Sequence, residues 1–320
     1  MPVKRRKTAR RAKKAVARKH TAKAPIHHHA GKAVALEMKQ TQESAVPEKS
    51  EKPVDWGEAV TRTFKFSFMP QRWLPFFVFD LAVISVALAM LFNVLTPAVM
   101  AGLATTDSVM QLVVMGTYIL SLGIVWFFVN LWVTGAIAHQ CWKPAEFRQS
   151  WKASWKRYPS ILAVSLIAGA ANFLAAMIPF AGPVISIVIG MMFMFVIPFI
   201  FVSGANFADS LSGSVKMFRY SFLRVFVTWL LNVVLTLLIA LIFALPLLVY
   251  FLYYFSQYGF TEAIAYMILY NDRTLLYGTC AILLAGFSII RVFGLKLLTE
   301  VYMQMNRKSL LEFLKKDDED

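Results

Sequence analysis

Beyond Trp56 the chain is dominated by apolar runs of 18 residues or more, near 73–96, 109–137, 160–180, 182–203, 219–254 and 274–300. A run of about 20 residues at 1.5 Å per residue crosses the roughly 30 Å hydrocarbon core of a bilayer. No water in lipid satisfies backbone N–H and C=O groups, so a spanning segment is a helix or part of a closed barrel. Runs this long without period-two alternation are helices. The sequence therefore predicts an all-α, polytopic membrane protein with six transmembrane helices. Pro179-Phe180-Ala181-Gly182-Pro183 reads as a tight turn that makes the third and fourth spans a helical hairpin. Pro246, which lacks a backbone donor, is expected to kink or end the fifth.

Charge divides the chain. The protein is 58 % hydrophobic yet carries a formal net charge of +15, a combination foreign to an ordinary soluble domain. Residues 1–52 hold 15 Lys or Arg against four Glu, a surplus of eleven positive charges. Within them the dense block Lys4, Arg5, Arg6, Lys7, Arg10, Arg11, Lys13, Lys14, Arg18 and Lys19 contains no acid and repels itself. The expected organisation is a disordered basic tail over 1–52, a six-helix membrane domain over 53–306 and a charged C-terminal segment over 307–320. No short apolar stretch with a small-residue cleavage site follows the basic N-terminus, so no secretory signal is expected. Cys141 and Cys280 fall toward opposite faces and give no disulfide framework.

Lys143, Arg148, Lys152, Lys156 and Arg157 make 138–159 basic, and Lys216 and Arg219 do the same for 204–219. The segments 97–108 and 255–273 instead carry Asp107, Glu262 and Asp272 with only Arg273. The positive-inside rule puts the basic segments in the cytoplasm, and an even number of spans brings both termini to that side. The expected location is the cell membrane.

A threefold pattern precedes the first, third and fifth spans. Trp56, Val60, Thr63, Phe64 and Lys65 match Phe147, Trp151, Ser154, Trp155 and Lys156, and again Phe207, Leu211, Ser214, Val215 and Lys216. Each copy has apolar residues at i, i+4 and i+8, which share one helical face, a hydroxyl at i+7 and lysine at i+9. Each reads as an interfacial amphipathic helix whose apolar stripe lies in the acyl boundary or on the bundle while lysine faces headgroups. The architecture is then three repeats of interfacial helix plus helical hairpin. The segments EAVTRTFKFSFMPQRWLPFFVFDL and FADSLSGSVKMFRYSFLRVFVTWLLNVVLTLLIALI resemble a broad group of uncharacterised six-helix membrane proteins of bacteria and archaea. That group is similar to the membrane domain fused to some glycerophosphodiester phosphodiesterases. The resemblance covers roughly 55–305 and implies the six-helix fold. The catalytic domain of those enzymes has no counterpart here, so it implies no enzymatic role, and the tail lies outside it.

Charged residues inside spans are the first functional candidates in a membrane protein. Asp80 lies about 12 Å beyond Arg72, and Arg291 about 13 Å before Glu300, both at 1.5 Å per residue from the basic end. Equal depth allows an intramembrane charge pair joining the first and last spans. The alternatives are two independent snorkelling side chains, or a proton or cation site at Asp80. Asn93, Asn130, Asn172 and Asn232 are candidates for hydrogen bonds between helices, and Ser165/Gly169 and Ala171/Ala175 for close packing of the third span. His27, His28 and His29, or His139 with Cys141, fall short of the four ligands of a structural zinc site, so neither metal nor cofactor is expected. No phosphate-binding loop, dinucleotide fingerprint, HExxH or GxSxG motif occurs. The expectation is a non-enzymatic protein that organises the bilayer or partner proteins, with a transporter or channel for a small solute or ion as the alternative. Its partners would be membrane lipids, anionic at the cytoplasmic face, with nucleic acid or the ribosome a further option through the aromatic-free tail.

Overall fold

The computed structural model describes residues 54–90, 106–143, 147–259 and 273–305. The tail 1–52, the segment 307–320 and Asn93 lie outside the described residues. The chain divides into two units, Met1–Lys52 and Pro53–Asp320, and every described helix belongs to the second. Among the described residues the helices are α1 (Trp56–Ser67), α2 (Pro70–Met90), α3 (Thr106–Trp142), α4 (Phe147–Ala176), α5 (Gly182–Phe193), α6 (Val196–Val202), α7 (Phe207–Tyr220), α8 (Phe222–Tyr258) and α9 (Arg273–Met305). Six stretches are long and apolar enough to cross a membrane: α2, most of α3, α4, α5 with α6, α8 and most of α9. The protein is an all-α, multi-pass membrane protein.

Local sequence accounts for the starts and breaks. Asp55 caps α1 by accepting from the Glu58 N–H at 2.9 Å, and Asn206 caps α7 by accepting from Asp209 at 2.9 Å. The fourth span is interrupted at Met194 and Phe195. Pro198 has no N–H to offer the Met194 carbonyl, and its position in the first turn of α6 is where a helix tolerates proline. Two expectations are corrected. Of the two outcomes expected of Pro246, a kink or an end, the end does not occur, because α8 continues through it to Tyr258; membrane helices accommodate proline when neighbouring groups re-satisfy the freed carbonyl. In the second repeat the amphipathic segment and its span are one helix, α4, with Pro159 inside it. In the first and third repeats they separate at Phe68–Met69 and at Ser221.

The hairpin between α4 and α5 turns at Phe180, which is fully exposed and held at φ 60°, a conformation costly for a residue with a Cβ. Gly182 lets the returning chain approach, since a Cβ there would sit 2.6 Å from the Ala175 carbonyl oxygen. That neighbour is backbone and cannot rotate away. Gly182→Ala is expected to destabilise by about 1–3 kcal/mol, seen as a lower thermal midpoint in detergent and as cleavage at the loosened turn. Ala175 is buried there, whereas Gly169 faces open space, so only the Ala171/Ala175 spacing reaches a packed contact.

Helix α9 is the hub. It packs against α1, α2, α3, α6 and α8, and Ile289, Val292, Phe293, Leu297, Val301 and Tyr302 are all buried along it. Burial concentrates at the end of the bundle that carries the basic segments, hereafter the basic end. Toward the other end, Val113, Tyr118, Leu120 and Val125 of α3 and Leu166, Phe173, Leu174 and Met177 of α4 are exposed. Lipid tails solvate such side chains as well as a protein core does, so no hydrophobic force closes that half.

Candidate functional site

The three amphipathic segments dock on membrane helices at the basic end: α1 on α9, the first half of α4 on α3, and α7 on α5 and α6. In the second and third repeats the partner is the span just before the segment. In the first it is the last span, so the docking pattern closes on itself. The buried seam is small and hydroxylated. Ala59 and Thr63, Ser150 and Ser154, and Ser210 and Ser214 occupy matching positions, and each is fully buried. Ser154 Oγ donates to the Trp132 carbonyl at 2.7 Å and Ser214 Oγ to the Met192 carbonyl at 2.6 Å, each 22 residues back on the supporting helix. Thr63 Oγ instead donates to Ala59 of its own helix at 2.7 Å. Close approach follows from small side chains: a Cβ at Gly135 would meet Ser154 Oγ at 2.3 Å.

The contact is thus centred one position before the aromatic stripe. Trp56, Val60, Phe64, Phe147, Trp151, Leu211 and Val215 flank it half-buried, while Trp155 is 66 % and Phe207 44 % exposed. Lys65, Lys156 and Lys216 are exposed at the equivalent position of all three copies.

The structure brings Asp80 and Arg291 together, with Arg291 Nη1 2.7 Å from Asp80 Oδ2. Trp126 of α3 donates its indole N–H to Asp80 Oδ1 at 2.8 Å. Both carboxylate oxygens are therefore engaged, and the cluster ties α2, α3 and α9 together. The guanidinium also lies 5.6 Å from the ring centroids of Phe76 and Trp126, within cation–π range. Asp80 is 3 % exposed. An ionised carboxylate at that burial needs such partners, since an unpaired one would be strongly disfavoured.

A second cluster, between Asp80–Arg291 and the basic end, is one that sequence reasoning missed. Glu300 is only 4 % exposed; Lys296 Nζ meets its Oε1 at 2.5 Å, and Arg62 of α1 approaches Oε2 at 3.8 Å. Arg62 also pairs with Glu58 at 2.5 Å on the surface of α1. Lys296 Nζ donates to the Cys141 carbonyl at 2.8 Å, one of the last carbonyls of α3, where the negative end of the helix dipole favours a cation. Arg72, at the start of α2, donates to Gln140 Oε1, and the Phe66 ring lies 4.8 Å from its guanidinium and 5.0 Å from Lys296 Nζ. A Lys and a Glu four residues apart near the end of a largely apolar helix was the signal that could have revealed this cluster.

Other candidates fare differently. His139 Nδ1 lies 3.3 Å from Ser150 Oγ, and Cys141 is buried as a free thiol. Asn172 bonds back to the Ala168 carbonyl of its own helix at 2.9 Å, correcting the expectation of an interhelical bond, because a short amide reaches its own preceding turn first. Asn232 faces α9 beside Gly294. No family model, curated protein or solved structure matches the chain.

Proposed function

We propose that the protein is a non-enzymatic membrane scaffold whose basic end gathers anionic lipid and protein partners, with residues 1–52 as a tether for acidic lipid or nucleic acid. The observation that carries this is the repetition of exposed Lys65, Lys156 and Lys216 on three docked amphipathic segments. A basic group near an anionic surface gains about 1 kcal/mol, and an amphipathic segment at the interface holds it at headgroup depth. The positive-inside rule supports a cytoplasmic basic end in the cell membrane, with both termini on that side. Transport through the bundle has less support, since Asp80, the deepest carboxylate described, is bonded on both oxygens.

Purification from native membranes in mild detergent tests this, comparing the full chain with one lacking 1–52 and one carrying Lys65→Gln, Lys156→Gln and Lys216→Gln. The lysine variant is expected to lose acidic-lipid affinity by roughly fivefold per residue. Nuclease-sensitive material lost with the tail would assign it to nucleic acid. Unchanged lipid and partners in both variants, together with solute flux in liposomes that Asp80→Ala abolishes, would establish transport instead.

A further inference from the structure

Every charge of the second cluster is matched except one. Lys296 balances Glu300, and Arg62 is shared between Glu300 and Glu58. Arg72 has no carboxylate within ion-pair distance among the described residues. Its bond to Gln140 fixes the amide, because a guanidinium only donates and must face the amide oxygen. Gln140 Nε2 therefore points elsewhere, and this residue is 1 % exposed. That nitrogen and Arg72 Nε are both buried without a hydrogen-bond partner. Buried polar groups are nearly always paired, so two orphans on adjoining, mutually bonded side chains define a demand. Both are donors. What satisfies them brings acceptors, and the unmatched guanidinium selects a negative charge over a neutral one.

Depth narrows the chemistry. Arg72 lies in the first turn of α2, Gln140 in the last turn of α3, and Arg72 is partly buried. The termini of spanning helices lie at the level of lipid headgroups. We propose that Arg72 and Gln140 form a binding site for a phosphate-class anion between the ends of the first two spans, filled by the phosphodiester of an acidic lipid. Lys296 commits two of its three N–H donors to Glu300 and the Cys141 carbonyl, and its charge is balanced by Glu300. The site deepens the lipid reading and rests on it for the source of the phosphate, but it needs none of the exposed lysines.

The test uses the delipidated full chain in detergent, titrated with phosphatidylglycerol, phosphatidylcholine and, separately, inorganic phosphate at constant ionic strength. Thermal midpoint and native mass spectrometry are the readouts. Saturable stabilisation by phosphatidylglycerol is expected, weakened at least about tenfold in Arg72→Gln. Gln140→Glu guards against a folding defect: it is isosteric, gives Arg72 an internal carboxylate, and should remove the response while keeping a wild-type-like midpoint without lipid. A matching response to inorganic phosphate would make free phosphate the ligand of the same site, and a phosphatidylglycerol response alone makes it the headgroup. Loss in Lys65→Gln, Lys156→Gln and Lys216→Gln with retention in both site variants would overturn the site and leave the surface reading standing. Retention in the lysine variant with loss in Arg72→Gln and Gln140→Glu supports the site and removes the surface reading. Equal responses in wild type and both site variants, or none in wild type, would overturn the site.

Discussion

Arg291→Ala is expected to lower stability by about 3–5 kcal/mol, the range for removing one member of a buried ion pair. The cost arises because Asp80, 3 % exposed, would be left with the Trp126 N–H as its only described partner. Asp80→Ala should cost less: the Arg291 side chain is 34 % exposed, and a long cationic side chain can reach toward headgroups. A charge swap, Asp80→Arg with Arg291→Asp, should recover part of the loss and not all of it. The guanidinium placed at position 80 would face the Trp126 indole N–H, donor against donor, so the third helix of the cluster stays unsatisfied. Thermal midpoints of the four proteins in one detergent check this. A swap no better than Asp80→Ala and Arg291→Ala would show that the two groups act independently.

That pair was accessible from the sequence because depth in a membrane helix is a one-dimensional quantity. Counting residues from the basic end places Asp80 and Arg291 at the same level without knowledge of which helices touch. The six spans, the Phe180 turn and the threefold pattern share this property, resting on apolar length, on local Pro and Gly, or on repetition. The cluster of Arg72, Gln140, Lys296 and Glu300 does not. Glu300 sits five residues before the end of α9, where sequence alone places a carboxylate in water. Its burial depends on α1 returning to cover α9, a contact between segments more than two hundred residues apart. The fusion of the second amphipathic segment with its span was equally hidden. The helix runs through Pro159 without a break. Asn172 shows the converse error, where a residue suited to bridging helices was satisfied within its own.

The hydroxyl seam carries the other large effect. Ser154→Leu is expected to lift the first half of α4 away from α3, because the added carbons must enter a gap in which a Cβ at Gly135 would already stand 2.3 Å from Ser154 Oγ. Overpacking of this kind costs about 1–3 kcal/mol, and the Trp132 carbonyl loses its bond from Ser154 as well, adding about 1 kcal/mol. Gly135→Val attacks the same contact from the other side and should match it. Ser214→Leu tests the corresponding joint on α5, where Ser214 bonds the Met192 carbonyl. Trp155→Ala is the control. It removes a tryptophan of the stripe, but one that is 66 % exposed, and should change stability by less than either seam variant. Midpoints ordered this way, with hydrogen exchange rising first in 147–158 for Ser154→Leu and in 207–220 for Ser214→Leu, would establish that small hydroxylated positions hold the amphipathic segments down. The reverse order, with Trp155→Ala the more damaging, would return the anchoring role to the aromatic stripe. Three segments held by side chains this small lie close against the membrane helices, so the lysines two positions further along are carried on a rigid rim at the basic end.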